Sequence, residues 1–163
     1  TNLNGINTKE AIHDLIDQIG SNEAEVVEVQ VAKDFHKAYF ILESNDETTA
    51  HNAFQQANQP IELIKEVRLV GKDLAEVKQA NEKVNYLVEW ELPEHLTMDQ
   101  YLERKKKNSV YYEEVPEVTF SRTYVCEDMT KCLCFYNAPN EASVKRAREA
   151  VKAPITSLTK LEN

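Results

Sequence analysis

Arg122-Thr123-Tyr124-Val125-Cys126-Glu127-Asp128-Met129-Thr130-Lys131-Cys132-Leu133-Cys134-Phe135-Tyr136 reads as two apolar-rich strands joined by a short polar turn. A second stretch of the same kind lies 94 positions earlier. At that offset residues 32–69 fall on 126–163 without a gap, placing Asp34 on Asp128, Lys37 on Lys131, Glu47 on Glu141, Ala53 on Ala147, Pro60 on Pro154 and Ile61 on Ile155. The apolar pattern follows: Val27, Val29 and Val31 meet Ser121, Thr123 and Val125, while Tyr39 and Ile41 meet Leu133 and Phe135. A fixed period of this length means two copies of one supersecondary unit.

Working outward, each copy reads helix, strand, strand, helix, strand. In the first, Thr8 or Asn7 caps a helix whose Ala11, Ile12, Leu15, Ile16 and Ile19 recur at helical spacing. Strands follow at 25–32 and 38–43, then a helix from Asn45 or Asp46 that carries Ala50, Ala53, Phe54 and Ala57 and stops near Pro60, and a closing strand at 62–70. The second copy has helices near 97–108 and 140–151 and strands at 118–126, 131–137 and 156–161. It also has a leading strand, 85–92, which completes βαββαβ, the ferredoxin-like plait. The expected fold class is α+β: tandem ferredoxin-like plaits, with helices on one face of each antiparallel sheet and no leading strand in the first copy. The expected divisions are a first repeat over 1–71, a helical connector over 72–84 bearing Leu74, Val77 and Ala80 behind Asp73, and a second repeat over 85–163.

Composition narrows the function classes. The 163 residues carry 19 Lys plus Arg against 28 Asp plus Glu, a formal net charge of -9, which opposes a nucleic-acid backbone. No stretch approaches the roughly 20 apolar residues of a membrane span, and no export signal is evident. Three cysteines make a poor disulfide framework, so a soluble cytoplasmic protein with reduced thiols is expected. His13, His36, His51 and His95 show no metal-ligand spacing, and the run Arg104 to Lys107 reads as the solvated side of an amphipathic helix. Lys131-Cys132-Leu133-Cys134-Phe135-Tyr136 lacks the glycine and first aromatic of an RNA-recognition strand.

Strand alternation then sorts the second copy into faces, provided Cys126 lies opposite Cys132. Tyr86, Val88, Trp90, Leu92, Thr123, Val125, Leu133 and Phe135 would lie under the helices. The open face would collect Glu89, Glu91, Arg122, Tyr124, Cys126, Cys132, Cys134 and Tyr136, and its counterpart in the first copy Glu28, Gln30, Ala32, Ala38, Phe40 and Leu42. Glu89, Glu91, Arg122, Tyr124, Tyr136, Glu28 and Gln30 are the candidate ligand-binding residues, because convergent charged and aromatic groups suit a small-molecule site. Cys126, Cys132 and Cys134 are a candidate thiolate metal site, although zinc sites normally take four ligands. An alternative reading makes all of these residues the lining of a sheet interface.

Tyr86-Leu87-Val88-Glu89-Trp90-Glu91-Leu92-Pro93, Leu96-Thr97, Arg122 to Val125, Glu127-Asp128, Lys131, Cys134, Tyr136, Ala138-Pro139-Asn140-Glu141 and Pro154 resemble a family of small bacterial proteins catalogued as domain of unknown function four-two-four-two. The resemblance covers residues 85–163 and extends faintly to 8–70. It implies a ferredoxin-like fold that pairs through its sheets and members that bind nickel, and it implies no general enzymatic activity. Where members of that family carry histidines, this chain has Ala53, Ala147 and Trp90. The first expectation is a non-enzymatic module, a pseudo-dimer that binds a small ligand or self-associates through its sheet faces. The alternatives are an enzyme of the dimeric α/β-barrel type acting on a small organic compound, and a nickel- or zinc-binding protein.

Overall fold

A computed structural model of the chain describes residues 1, 3, 8–20, 24–79 and 83–162. They form two compact units, the first Thr1–Lys65 with Val77–Gln79 and Glu162, the second Glu66–Glu76 with Ala80–Leu161.

Unit 1 contains α1 (Lys9–Gly20), β1 (Glu25–Ala32), β2 (Ala38–Glu43) and α2 (Glu47–Gln56). The Thr8 hydroxyl accepts from Ala11 N at the start of α1, whereas Asn7 lies outside the described residues. Ile12, Leu15 and Ile19 of α1 and Ala53 and Phe54 of α2 pack on Val26, Val29, Val31, Ala38, Phe40 and Leu42 of the β1–β2 hairpin. Among the described residues no strand precedes α1.

Unit 2 contains β4 (Tyr86–Glu91), α4 (Met98–Asn108), a 3-10 helix (Ser109–Glu114), β5 (Thr119–Cys126), β6 (Lys131–Asn137), α5 (Glu141–Ala150) and β7 (Ser157–Glu162). The antiparallel order β7-β4-β6-β5 is that of a complete ferredoxin-like βαββαβ plait. The stretch read as a strand closing the first repeat is strand only at β3 (Val67–Val70), and it extends this sheet by pairing with β5. The short helix α3 (Leu74–Gln79) falls where the connector is expected, although its Ala80 lies outside the described residues. Thr97 and Gln100 make a reciprocal capping box at α4, which fits the sequence Leu96-Thr97 ahead of an amphipathic run.

The 94-residue offset recurs in backbone detail. Asp46 and Asn140 cap α2 and α5, accepting from Thr49 N and Ser143 N; Phe35 and Met129 have φ of 59° and 61°; Asn58 and Lys152 have φ of 54° and 58°. The ladders are also irregular at matching places, between Val26 and Glu28 and between Phe120 and Arg122.

One expectation about faces is corrected by the hairpin loops. Each loop has four residues rather than five. In the first, Phe35 N donates to Ala32 O and Ala32 N to Lys37 O, both near 2.9 Å, with Asp34 Oδ1 accepting from His36 N. In the second, Met129 N donates to Cys126 O, and Asp128 Oδ1 accepts from Thr130 N. Aspartate can satisfy such a turn through its side chain, and the left-handed residue that follows brings the chain back one position early. Val125, not Cys126, therefore lies opposite Cys132, and Val31 opposite Ala38. A one-residue slip exchanges the faces of the returning strand. Cys132, Cys134 and Tyr136 lie under the helices, while Leu133 and Phe135 join Arg122 and Tyr124 on the other face. In unit 1, likewise, Ala38, Phe40 and Leu42 face the helices, and Glu28 and Gln30 share their face with Tyr39 and Ile41.

The caps carry a direct prediction. Asn140→Ala and Asp46→Ala each remove an acceptor from the first turn of a helix and should each lower the urea midpoint, Asn140→Ala by the equivalent of about 1 kcal/mol. Unchanged midpoints would show that these contacts do not hold the helix ends.

Candidate functional site

Five candidate residues were expected on the open face of the second copy and two, Glu28 and Gln30, on its counterpart in the first, and the register divides the five. Glu89, Leu133 and Tyr124 form one cross-strand row of unit 2, and Leu87, Phe135 and Arg122 the next. Glu89 pairs with Lys131 Nζ at 3.1 Å, Arg122 donates to Ser121 Oγ and stands over the Phe135 ring, and Tyr124 meets Phe135 edge-on. Arg122 and Tyr124 are buried, so this face is not a solvated one, whereas Glu91 is exposed. Glu28 and Gln30 belong to unit 1, where Gln30 Nε2 donates to Glu28 Oε1 at 2.9 Å.

Tyr136, Cys132 and Cys134 instead enter a polar cluster beneath the helices of unit 2. Its centre is Arg148, on the buried stripe of α5 with Val144 and Ala147 and only 2% exposed. Arg148 Nη1 donates to the Tyr136 hydroxyl at 3.1 Å and to Cys134 Sγ at 3.4 Å, and Nη2 donates to Pro154 O at 2.7 Å. Its Nε has no hydrogen-bond partner among the described residues. Cys132 Sγ is 3.9 Å from Cys134 Sγ, the Thr123 hydroxyl donates to Cys134 Sγ, and the Tyr136 and Tyr112 hydroxyls are 2.6 Å apart.

Burying a guanidinium without a carboxylate demands compensation from other groups. Cys134 supplies it: the Cys132 thiol, and after it Arg148, Lys105 and the Thr123 hydroxyl, hold the Cys134 thiol well below the ordinary value against the opposing effect of burial. Its hydrogen bond to Cys134, with burial, pushes Cys132 up, so the two thiols are shifted in opposite directions. Burial raises the Tyr112 hydroxyl to about 12 and lowers Lys105, whose ammonium sits 4.1 Å from the Phe120 ring centre.

Beside this cluster lies a cavity of about 30 Å³ lined by Trp90, Tyr101, Arg104, Lys105, Asn108, Ser109, Tyr112, Arg148, Val151 and Ala153. Two guanidiniums flank the indole, Arg104 at 5.4 Å and Arg148 at 5.9 Å from the Trp90 ring centre. Three of the described lining residues are cationic and none is a carboxylate. The basic run is solvated as expected at Arg104, Lys106 and Lys107, which are exposed, whereas Lys105 is half-buried, and Arg104 and Lys105 also line the cavity. The sequence signal for Arg148 was available at the offset: it stands where the first copy has Phe54, just as Cys132, Cys134 and Tyr136 stand where that copy has Ala38, Phe40 and Leu42.

These donors do not suit nickel or zinc. Cys126 is on the opposite sheet face from Cys132 and Cys134, Cys134 Sγ meets the Arg148 guanidinium rather than a further acceptor ligand, and all four histidines are exposed. Among the described residues no group of three or more His, Cys, Asp or Glu could hold a metal ion. No helix among them is long and apolar enough to cross a membrane.

A depressed thiol makes stability depend on pH with a definite sign. The native state binds fewer protons than the unfolded one between the lowered Cys134 value and the unfolded thiol value of about 8.5, so the stabilisation grows with pH across that window and is lost as pH falls through the native value. The stability difference between wild type and Cys134→Ser, measured by urea unfolding, should therefore widen as pH rises to about 8.5. A difference that narrows would mean that Cys134 is held as the neutral thiol.

Comparison with known proteins supports this architecture. No curated protein matches the chain. Among solved structures, a crystal structure of a protein provisionally named chlorite dismutase TA0507 is similar at 13% identity, covering 99% of this chain and 91% of its own with a TM-score of 0.51, a likeness of fold alone. Residues 86–161 match the model of the family described as nickel responsive protein SCO4226-like, in keeping with the resemblance read from Tyr86 onward. Residues 86–161, β4 through most of β7, thus form a ferredoxin-like unit that is similar to the SCO4226-like nickel responsive family.

Proposed function

We propose that unit 2 is a binding module for a small anion, held in the cavity between α4, the 3-10 helix and α5. The observation that carries this reading is Arg148 Nε, a donor on a buried guanidinium at the cavity wall with no partner among the described residues. Buried donors of native proteins are almost always satisfied, so one left bare beside a cavity points to a ligand or water that completes it. Lys105 and Arg104 favour a negative partner there, and the absence of a carboxylate among the described lining residues leaves that preference unopposed. The reading retains the expected small-ligand module and moves its site from the open sheet face to the helix side. The same charge distribution works against a bound cation, and so against nickel at this place.

Salts of several anions, compared at constant ionic strength, should raise the melting temperature of the wild-type protein to different extents, by the mass-action stabilisation of a ligand that binds only the native state. Lys105→Met keeps most of the side-chain stem and removes its charge, so the most stabilising anion should bind at least about tenfold more weakly to it. Equal anion responses in wild type and Lys105→Met would rule out this pocket.

A further inference from the structure

Resting on that reading, we infer that the ligand is a small monocarboxylic acid with an apolar substituent, taken up as its carboxylate. Two features of the cavity narrow the anion to this class. The first is charge. Arg148 already shares its charge with Cys134 and Tyr136, Arg104 is exposed and commits Nη2 to Lys152 O at 2.7 Å, and Lys105 is half-buried. What remains suits one negative charge; a dianion would leave the second uncompensated among aromatic walls.

The second is the lining. Trp90, Val151 and Ala153 give apolar surface, and the aromatic residues Tyr101 and Tyr112 line the same space. Strongly hydrated anions such as phosphate lose most on entering such walls, whereas a carboxylate carrying an apolar group gains from burying that group. Arg148 and Lys105 line the cavity from two elements, α5 and α4, and supply separate cationic groups for the carboxylate head. The substituent then lies along Trp90 and Val151.

Trp90 is the single tryptophan of the chain and lines the cavity, so its fluorescence reports occupancy. The full chain is titrated with acetate, isobutyrate, isobutyramide and phosphate near neutral pH at constant ionic strength. Isobutyrate should saturate about tenfold more tightly than acetate, the neutral amide should bind at least about tenfold more weakly than the acid, and phosphate should not saturate. Phosphate binding as tightly as isobutyrate, or the amide matching the acid, would overturn the ligand class while the pocket kept its role. If no probe changed the fluorescence and no salt separated wild type from Lys105→Met in melting temperature, both the class and the pocket would fall.

Discussion

A guanidinium buried without a carboxylate is the constraint around which unit 2 is arranged. Moving such a charge out of water costs several kcal/mol unless neighbours compensate. Arg148 finds a sulfur on β6, a tyrosine hydroxyl on the same strand and a backbone carbonyl beyond the end of α5, and each of these depends on the one before it in the fold. Cys134 and Tyr136 reach Arg148 only because β6 turns them to the helix side. The β5 ladder irregularity between Phe120 and Arg122 also matters, since it leaves Phe120 on that side, stacked on Tyr112 at 5.5 Å, while Arg122 points to the other. At the equivalent place unit 1 has an apolar solution, Phe40 against Phe54 edge-on at 5.1 Å. Similar local backbones thus enclose an apolar core in one unit and a charged cluster with a cavity in the other.

Most elements could be read directly from residue order because local signals agreed with one another. Helical spacing marked α1, α2, α4 and α5, and Asp46, Thr97 and Asn140 marked three helix starts through their side chains. Faces were harder. β5 alternates well enough that Arg122 and Tyr124 were correctly set against Thr123 and Val125, and β4 does the same with Glu89 against Val88 and Trp90. β6 gives no such clue, because Cys132, Leu133, Cys134, Phe135 and Tyr136 are apolar on both sides, and β2 has the same difficulty from Tyr39 to Leu42. Their faces follow from a loop shorter by one residue, and that length depends on a left-handed Phe35 or Met129, residue types that do not advertise the conformation.

The candidate site was less legible for a related reason. A lysine or arginine in a charged run is usually solvated, and only the packing of α4 shows that Lys105 turns inward. Arg148 was the more visible clue, since an arginine interrupts the apolar stripe of Val144, Ala147 and Val151 where the earlier copy has phenylalanine. Cys132 and Cys134 drew attention as metal ligands, yet the hydrogen bond that Cys134 Sγ accepts from Arg148 gives the pair an electrostatic part instead. The Cys132 thiol and then Arg148 hold the Cys134 thiol below its ordinary value, and the proposed anion would meet the cationic side of the cavity next to them.

The central claim, that the bare Nε of Arg148 marks an anion site, is most directly tested by anomalous diffraction from crystals soaked in iodide, a weakly hydrated monovalent anion small enough for the cavity. The account predicts an anomalous peak within about 4 Å of Arg148 Nε, allowing for the larger radius of iodide than of oxygen. Iodide at surface sites alone, with the cavity beside Trp90 free of anomalous density, would contradict it.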